Sequence, residues 1–363
     1  MWVYTCLLVL FMFVQCSTAQ ILTRVKPDSI LVLNTNQTGY IDHVIPMNEQ
    51  QPEGMFIISG SPNRMTILNS FHVFQSFVID TSSNPKLNTM GVTETCKGGL
   101  YTPDYGSFNL VYSGSSIGKS YIVQLKSTNL SQIVDLVSLG PQSQVIDVVA
   151  NRELKLLHIM LKKNTLLTLL TFDPKDNSIR EQLFPTMTAA KMHFNIELGL
   201  VVGVGNATEG HLLVLDPISL QVLTEQSLQR LFTVDSITSS VTNRQLLIIY
   251  SEYYTSMVQF TYHPSTKTFS FTQGVYHNEY MRISRCEIRQ TATCLNDNRA
   301  IMAFNLMVSY KDPRYYALEA EDDLRLSFTQ YDDEDQALLY VPQTYFDGAT
   351  FKIGIFNYAK LLP

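Results

Sequence analysis

Three short stretches place residue types at spacings that known chemistries use. Gly114-Ser115-Ser116-Ile117-Gly118 spells the Gly-X-Ser-X-Gly of a nucleophile elbow, with Ser116 as the would-be acylating hydroxyl. An elbow requires a strand that turns sharply into a helix, whereas Tyr121-Ile122-Val123-Gln124-Leu125, just downstream, reads as a second strand. Gly118-Lys119-Ser120 ends like a phosphate loop, but Ser113 stands where that loop needs its first glycine. Gly203-Val204-Gly205 has Thr208 in place of the third glycine of a dinucleotide loop, so Asn206 to Gly210 reads as a turn. All three are expected to be plain connections between strands.

The histidines, at 43, 72, 158, 193, 211, 263 and 277, include no pair at zinc-ligand spacing. Acidic residues are concentrated instead. Glu319, Glu321, Asp322 and Asp323 precede an expected strand from Leu324 to Phe328, and Asp332, Asp333, Glu334 and Asp335 follow it. Oxygens this dense suit a hard cation such as calcium, yet the spacing lacks the turn glycine and terminal bidentate Glu of a dedicated loop, so a solvated pair of edge turns is the plainer reading. That window carries net −7 of the chain's −6, and everything outside it sums to +1. No basic field is left to attract nucleic acid or an anionic membrane.

Leu7 to Val14 is an apolar block of h-region length, followed by Ser17-Thr18-Ala19, and it reads as a secretory signal at residues 1–19 with cleavage before Gln20. No later apolar run reaches the roughly 18 residues of a membrane span. A secreted, extracellular product in residues 20–363 is therefore expected. In that compartment Cys286 and Cys294, eight residues apart, are the expected disulfide across a hairpin or loop, and Cys96 is expected to be buried. Sequons at Asn36, Asn129 and Asn206 permit N-glycosylation without arguing for it.

The elements that must position these residues are short apolar runs of five to eight residues, recurring every ten or so positions between Asn, Asp, Gly, Ser and Pro; this is the all-β pattern. Runs such as Leu166-Leu167-Thr168-Leu169-Leu170 are apolar on both faces and belong between two covering layers. Phe172-Asp173-Pro174, Leu215-Asp216-Pro217 and Tyr262-His263-Pro264 each end one strand and open a turn. With looser equivalents at Asp80, Lys126, Asp312 and Asn357, these marks recur every 43 to 49 residues. Asn151, Asn195 and Asn243 repeat on the same period, and Gly54 to Ser61 resembles Gly106 to Ser115.

A repeat of about 45 residues with four short strands is a propeller blade, which cannot bury both faces alone and must stack around an axis. The expectation is a single all-β domain, a seven-bladed propeller of four-stranded antiparallel blades. The strand at Ser29 to Leu33 would complete the last blade, which runs out of chain after Asn357. The chain resembles, at fold level and with no family site motif, the lactonase-like and YVTN-type propellers. WD-repeat proteins are a poor fit, because the only Trp is Trp2, inside the signal.

Resemblance to the calcium-dependent lactonases implies a metal held by carboxylates at one channel mouth. Asp42, Asp147 and Asp235 occupy similar places in three first strands and would be its ligands, or would instead bind neighbouring backbone and tie blades together. Tyr250, Tyr253, Tyr254, Tyr262, Tyr276, Tyr280, Tyr310, Tyr315 and Tyr316 supply an aromatic set that suits inter-blade packing or a sugar or peptide ligand. The leading expectation is a non-catalytic binding or scaffold protein of an extracellular or mineralised matrix, meeting a protein, glycan or mineral surface. The alternatives are a calcium-dependent lactonase or esterase and a secreted ligand carrier or receptor-binding factor.

Overall fold

The computed structural model describes the backbone of residues 23–25, 29–34, 40–46, 55–61, 64–69, 75–80, 95–113, 120–126, 129–195, 198–206, 208–228, 234–240, 245–251, 255–263, 265–277, 283–288, 291–296, 300–305, 314–318, 327–328, 338–344 and 350–357. Side chains are described chiefly for 96–113, 120–126, 132–195, 198–206 and 208–228. Among these residues the secondary structure is β throughout, except for a one-turn 3-10 helix at Pro103–Tyr105.

The strands fall into seven sheets, six of four strands and one of five. In chain order they cover residues 40–80, 95–138, 143–184, 189–228, 234–277, 283–318 and 327–357, called here the first to the seventh sheet. Within each, strands consecutive in the chain pair antiparallel. Ser29–Asn34 is the outer strand of the seventh sheet, paired antiparallel with Thr350–Asn357 from Ser29↔Ile355 to Asn34↔Thr350, so the two ends of the chain share one sheet as expected. Beyond expectation, Thr23–Val25 joins the sixth sheet as a fifth strand, parallel to Arg314–Leu318.

First strands of successive sheets lie side by side from the first sheet to the sixth, and the seventh adjoins the first. Because the sheets meet face to face, each described junction is an apolar layer. Leu100, Val111 and Ile122 of the second sheet meet Leu157, Ile159, Leu161, Leu170 and Phe172 of the third. The opposite face of the third presents Met160, Leu167 and Leu169 to Met192, Leu200, Val202 and Leu213 of the fourth. Leu198, Val201 and Val214 of the fourth then meet Ile237, Phe260 and Phe269 of the fifth. Strands apolar on both faces are thus explained by two neighbours each.

The periodic landmarks have local causes. Asn151 and Asn195 end first strands, and each side-chain Oδ1 accepts the backbone N–H three residues on, from Leu154 at 3.0 Å and Leu198 at 3.1 Å. Asp173 ends a third strand and Asp216 directly follows one, and they accept N–H groups of the turn, Lys175 at 2.9 Å and Ile218 at 3.0 Å. The fifth residue of each such turn is left-handed: Asn177, Leu220 and Lys267 have φ of 59°, 61° and 53°. Asp80 is a correction, since it ends the fourth strand of its sheet, Gln75–Asp80; the extra chain between 80 and 95 hid the shift. Strands Met55–Ser61 and Ser107–Ser113, whose sequences resemble each other, are both second strands.

Candidate functional site

Asp42, Asp147 and Asp235 all lie on first strands, and each sits at a break in register. Pairing skips Asp42 between Ile41 and His43, Ile146 between Val145 and Asp147, and Asp235 between Val234 and Ser236. Lys97 and Ser284 are skipped in the same way in the second and sixth sheets. The recurring feature is therefore a β-bulge near the start of the first strand, and aspartate is one of several residues that occupy it.

Of the three aspartates, Asp147 has a described side chain. Its Oδ2 accepts the Met192 N–H at 2.8 Å, and its Oδ1 accepts the Val148 N–H at 3.1 Å. The Lys191 ammonium stands 4.0 Å from Oδ1. Since Met192 belongs to the next sheet, this half-buried carboxylate joins two first strands by holding a backbone N–H, the second of the two roles foreseen for it. Among the described residues no three His, Cys, Asp or Glu side chains converge as a metal site.

The Gly114 to Gly118 segment lies outside the described residues, but its flanks are informative. Ser113 and Ser120 are cross-strand partners at the ends of Ser107–Ser113 and Ser120–Lys126, so the segment joins two strands that pair with each other. Both flanking serines are buried and hold the third sheet: Ser113 Oγ accepts the Val145 N–H at 3.0 Å, and Ser120 Oγ donates to the Ser143 carbonyl at 2.8 Å. Gly205 ends a strand, and Asn206 Oδ1 caps the turn by accepting the Thr208 and Glu209 N–H groups at 2.8 and 3.0 Å.

Several polar groups inside the sheets escaped the sequence reading. His158, wholly buried between the third and fourth sheets, shares a 2.9 Å hydrogen bond with Thr171 through Nδ1 and stacks on Phe194 at a centroid distance of 6.4 Å. Its Nε2 has no hydrogen-bond partner, and burial holds the imidazole pKa down at about 4, against an ordinary 6.5. In the second sheet Asn109 donates to Thr102 Oγ1 and Ser107 Oγ, both at 3.3 Å, and Gln124 Nε2 donates to Asn109 Oδ1 at 2.9 Å. Gln124 also reaches Asn177 Oδ1 of the third sheet, at 2.9 Å.

That last contact belongs to a pattern. Each of the three described turns after Asp173, Asp216 and His263 is gripped by an outer strand of the sheet before it: Asp135 accepts from Asn177 at 3.3 Å, Arg180 donates to the Ile218 carbonyl at 2.9 Å, and Thr224 donates to the Lys267 carbonyl at 2.5 Å. The turns that mark the repeat are also the clasps between successive sheets. A polar residue interrupting an apolar strand, as His158 does in Leu-Leu-His-Ile-Met, was the available signal for these groups.

Cys96 is buried, 3% exposed, with its thiol directed at the Gly98 carbonyl 3.5 Å away, as expected. Cys286 and Cys294 face each other in register across Ile283–Ile288 and Thr291–Asn296. Asn129 opens the strand Asn129–Ser138, and Asn206 Nδ2 donates to the Thr186 carbonyl at 2.9 Å. Tyr262 packs between sheets with Phe269, at a ring distance of 5.1 Å, and Tyr250, Tyr276, Tyr315 and Tyr316 lie on strands. Asn36, Tyr253, Tyr254, Tyr280, Tyr310 and both acidic clusters lie outside the described residues; of the strand expected between the clusters, Ser327–Phe328 is described.

No family model and no curated protein matches this sequence. Solved structures do. The chain is similar to the β-propeller domain of Cps50 (Swd1) from Myceliophteria thermophila at 12% identity and a TM-score of 0.57, over 89% of this chain and 99% of that one. It is similar to the Neurospora crassa Pan2 WD40 domain at 12% identity and a TM-score of 0.53, over 87% and 89%. It is similar also to a structure of KlAtg21 complexed with the coiled coil of AgAtg16, at 13% identity and a TM-score of 0.57, over 85% and 96%. One of these is a WD40 domain, the repeat class that the sequence disfavours, and the lactonase-like and YVTN-type resemblance is not supported. Likeness at that identity speaks for architecture, and the architecture is a β-propeller of antiparallel, mostly four-stranded sheets.

Proposed function

We propose that this chain is an exported, non-catalytic seven-bladed propeller that serves outside the cell as a binding platform, within an extracellular or mineralised matrix, for another protein, a glycan or a mineral surface. The observation that carries the non-catalytic part is Asp147. Both of its carboxylate oxygens accept backbone N–H groups, so the one member of that trio whose side chain is described works as a joint between sheets. The propeller similar to it that was solved with a coiled coil supports a protein as the first class of partner. Export is supported by the apolar leader and by the cross-strand placement of Cys286 and Cys294, since facing residues of an antiparallel pair stand roughly 4.5–5.5 Å apart at Cα, inside the range a disulfide spans.

The test is production of the full chain in a secreting cell, with mass spectrometry of the medium. A chain beginning at Gln20 with Cys286 bonded to Cys294 is the expected product; retention in the cell with residues 1–19 intact overturns the export reading. Calorimetry of the secreted chain with calcium checks the other half. One-site binding that disappears in Asp147→Asn overturns the non-catalytic reading in favour of a calcium-dependent hydrolase.

A further inference from the structure

We propose that the outer edge of the sixth sheet is a strand-acceptor site, filled within this chain by Thr23–Val25 and open to the same segment of a second copy. Thr23↔Tyr316, Arg24↔Ala317 and Val25↔Leu318 form the one parallel pairing among the described strands. Among the described residues every other sheet has four strands. The sixth is complete without the addition, because Ile283–Ile288, Thr291–Asn296, Ala300–Asn305 and Arg314–Leu318 already supply four. The added strand can therefore leave without undoing the blade. What it leaves behind is a row of unpaired backbone donors and acceptors, a template for another extended segment.

The next strand, Ser29–Asn34, belongs to a different sheet, so residues 26–28 alone cross from the sixth to the seventh. Pro27 fixes its own φ and disfavours the helical region for Lys26, so this three-residue link has few conformations open to it. A short, stiff hinge between a terminal strand and the body of a domain is the setting in which identical elements are exchanged between copies. Exchange would re-form the same three pairs, so its cost lies chiefly in association.

Cysteine cross-linking of the full chain tests this. Thr23 and Tyr316 are register partners, and neighbouring strands lie roughly 4.8 Å apart, within reach of a disulfide. The double variant Thr23→Cys with Tyr316→Cys, treated with oxidised glutathione, closes an intramolecular bond if the parallel pairing exists. Two differently tagged single variants, Thr23→Cys and Tyr316→Cys, are then folded together and oxidised. The expected product is a covalent heterodimer mapped by peptide mass to residues 23 and 316, its share rising with protein concentration and lost when Arg24→Pro is added to the first chain. Failure of the double variant to close overturns the acceptor site. Closure of the double variant with no 23–316 heterodimer in the mixture overturns the exchange.

Discussion

The junction between the third and fourth sheets and the meeting of the chain ends in the seventh sheet solve one problem by different means. At the junction, contact is lateral and made by side chains: an apolar layer of Met160, Leu167, Leu169, Met192 and Val202, with Asp147, His158 and Arg180 reaching across it. At the chain ends, contact lies in the plane of a sheet and is made by backbone, six residue pairs from Ser29↔Ile355 to Asn34↔Thr350. The junction is sequence-dependent but redundant, since several groups share the work. Closure depends on one strand, and no neighbouring residue can substitute for its hydrogen-bonding edge.

Removing that strand should therefore produce the largest effect. Deleting residues 20–34 takes away the outer strand of the seventh sheet and leaves Thr350–Asn357 as an open edge. Loss of a single cooperative urea transition is expected, amounting to the whole of a domain's stability, about 5–15 kcal/mol. Deleting only residues 20–28 keeps the closing strand and removes the parallel fifth strand, and it should leave the transition cooperative. Equal behaviour of the two deletions, monitored by circular dichroism through a urea titration, would mean that closure does not rest on Ser29–Asn34.

The closing strand was legible in the sequence because a period of about 45 residues left the last unit one strand short, and Ser29 to Leu33 was apolar and unassigned. Strands inside the repeats were equally legible: the expected run from Gln144 to Val149 lies within the first strand Ser143–Asn151, and Gln245 to Tyr250 within the second strand Gln245–Ser251. Side-chain roles were harder. Asp147 at a bulge can face a channel, a neighbouring blade or solvent, and the choice is made by the Met192 N–H, 45 residues away in sequence. The parallel strand at Thr23–Val25 had no period to announce it, because it belongs to no repeat. Asp80 shows the limit of counting, since a longer connection moved a mark from a third strand to a fourth while leaving the spacing intact.

The junction has a titratable weak point whose effect should be intermediate. His158 has a folded pKa near 4 and an unfolded value near 6.5, so between those pH values the unfolded chain holds a proton that the native chain does not. The sign follows: stability rises with pH across this window, and acidification from pH 7 to pH 4 weakens the fold by up to about 3 kcal/mol from this group. Below pH 4 both states carry the proton and the loss levels off. His158→Gln keeps a partner for Thr171 and removes the titration; its stability should be nearly flat from pH 6.5 to 4.5, measured as urea midpoints. Asp216 does not confuse the reading. The Ser219 backbone N–H holds its carboxyl below the ordinary carboxylate range, so its contribution is lost only at more acid pH, as the pH falls through that lowered value. An unchanged slope in His158→Gln would place the acid sensitivity elsewhere.

The smallest effect belongs to the clasps at the rim. Arg180 is exposed, and its single described contact across the junction is the 2.9 Å hydrogen bond to the Ile218 carbonyl, in competition with water. Arg180→Ala should cost about 0.5–1 kcal/mol, the scale of one solvent-accessible hydrogen bond, without altering the pH profile set by His158. Equilibrium urea unfolding at pH 7 measures it. Pairing Arg180→Ala with Asp147→Asn then asks whether rim and inner edge of the same junction act together. The two sites lie on the outer and first strands of one sheet and share no partner, so their costs should add to within about 0.5 kcal/mol. Additivity means the junction is a set of parallel fastenings, in contrast to the single strand that closes the seventh sheet; a strong coupling would show that the third and fourth sheets are held by one network instead.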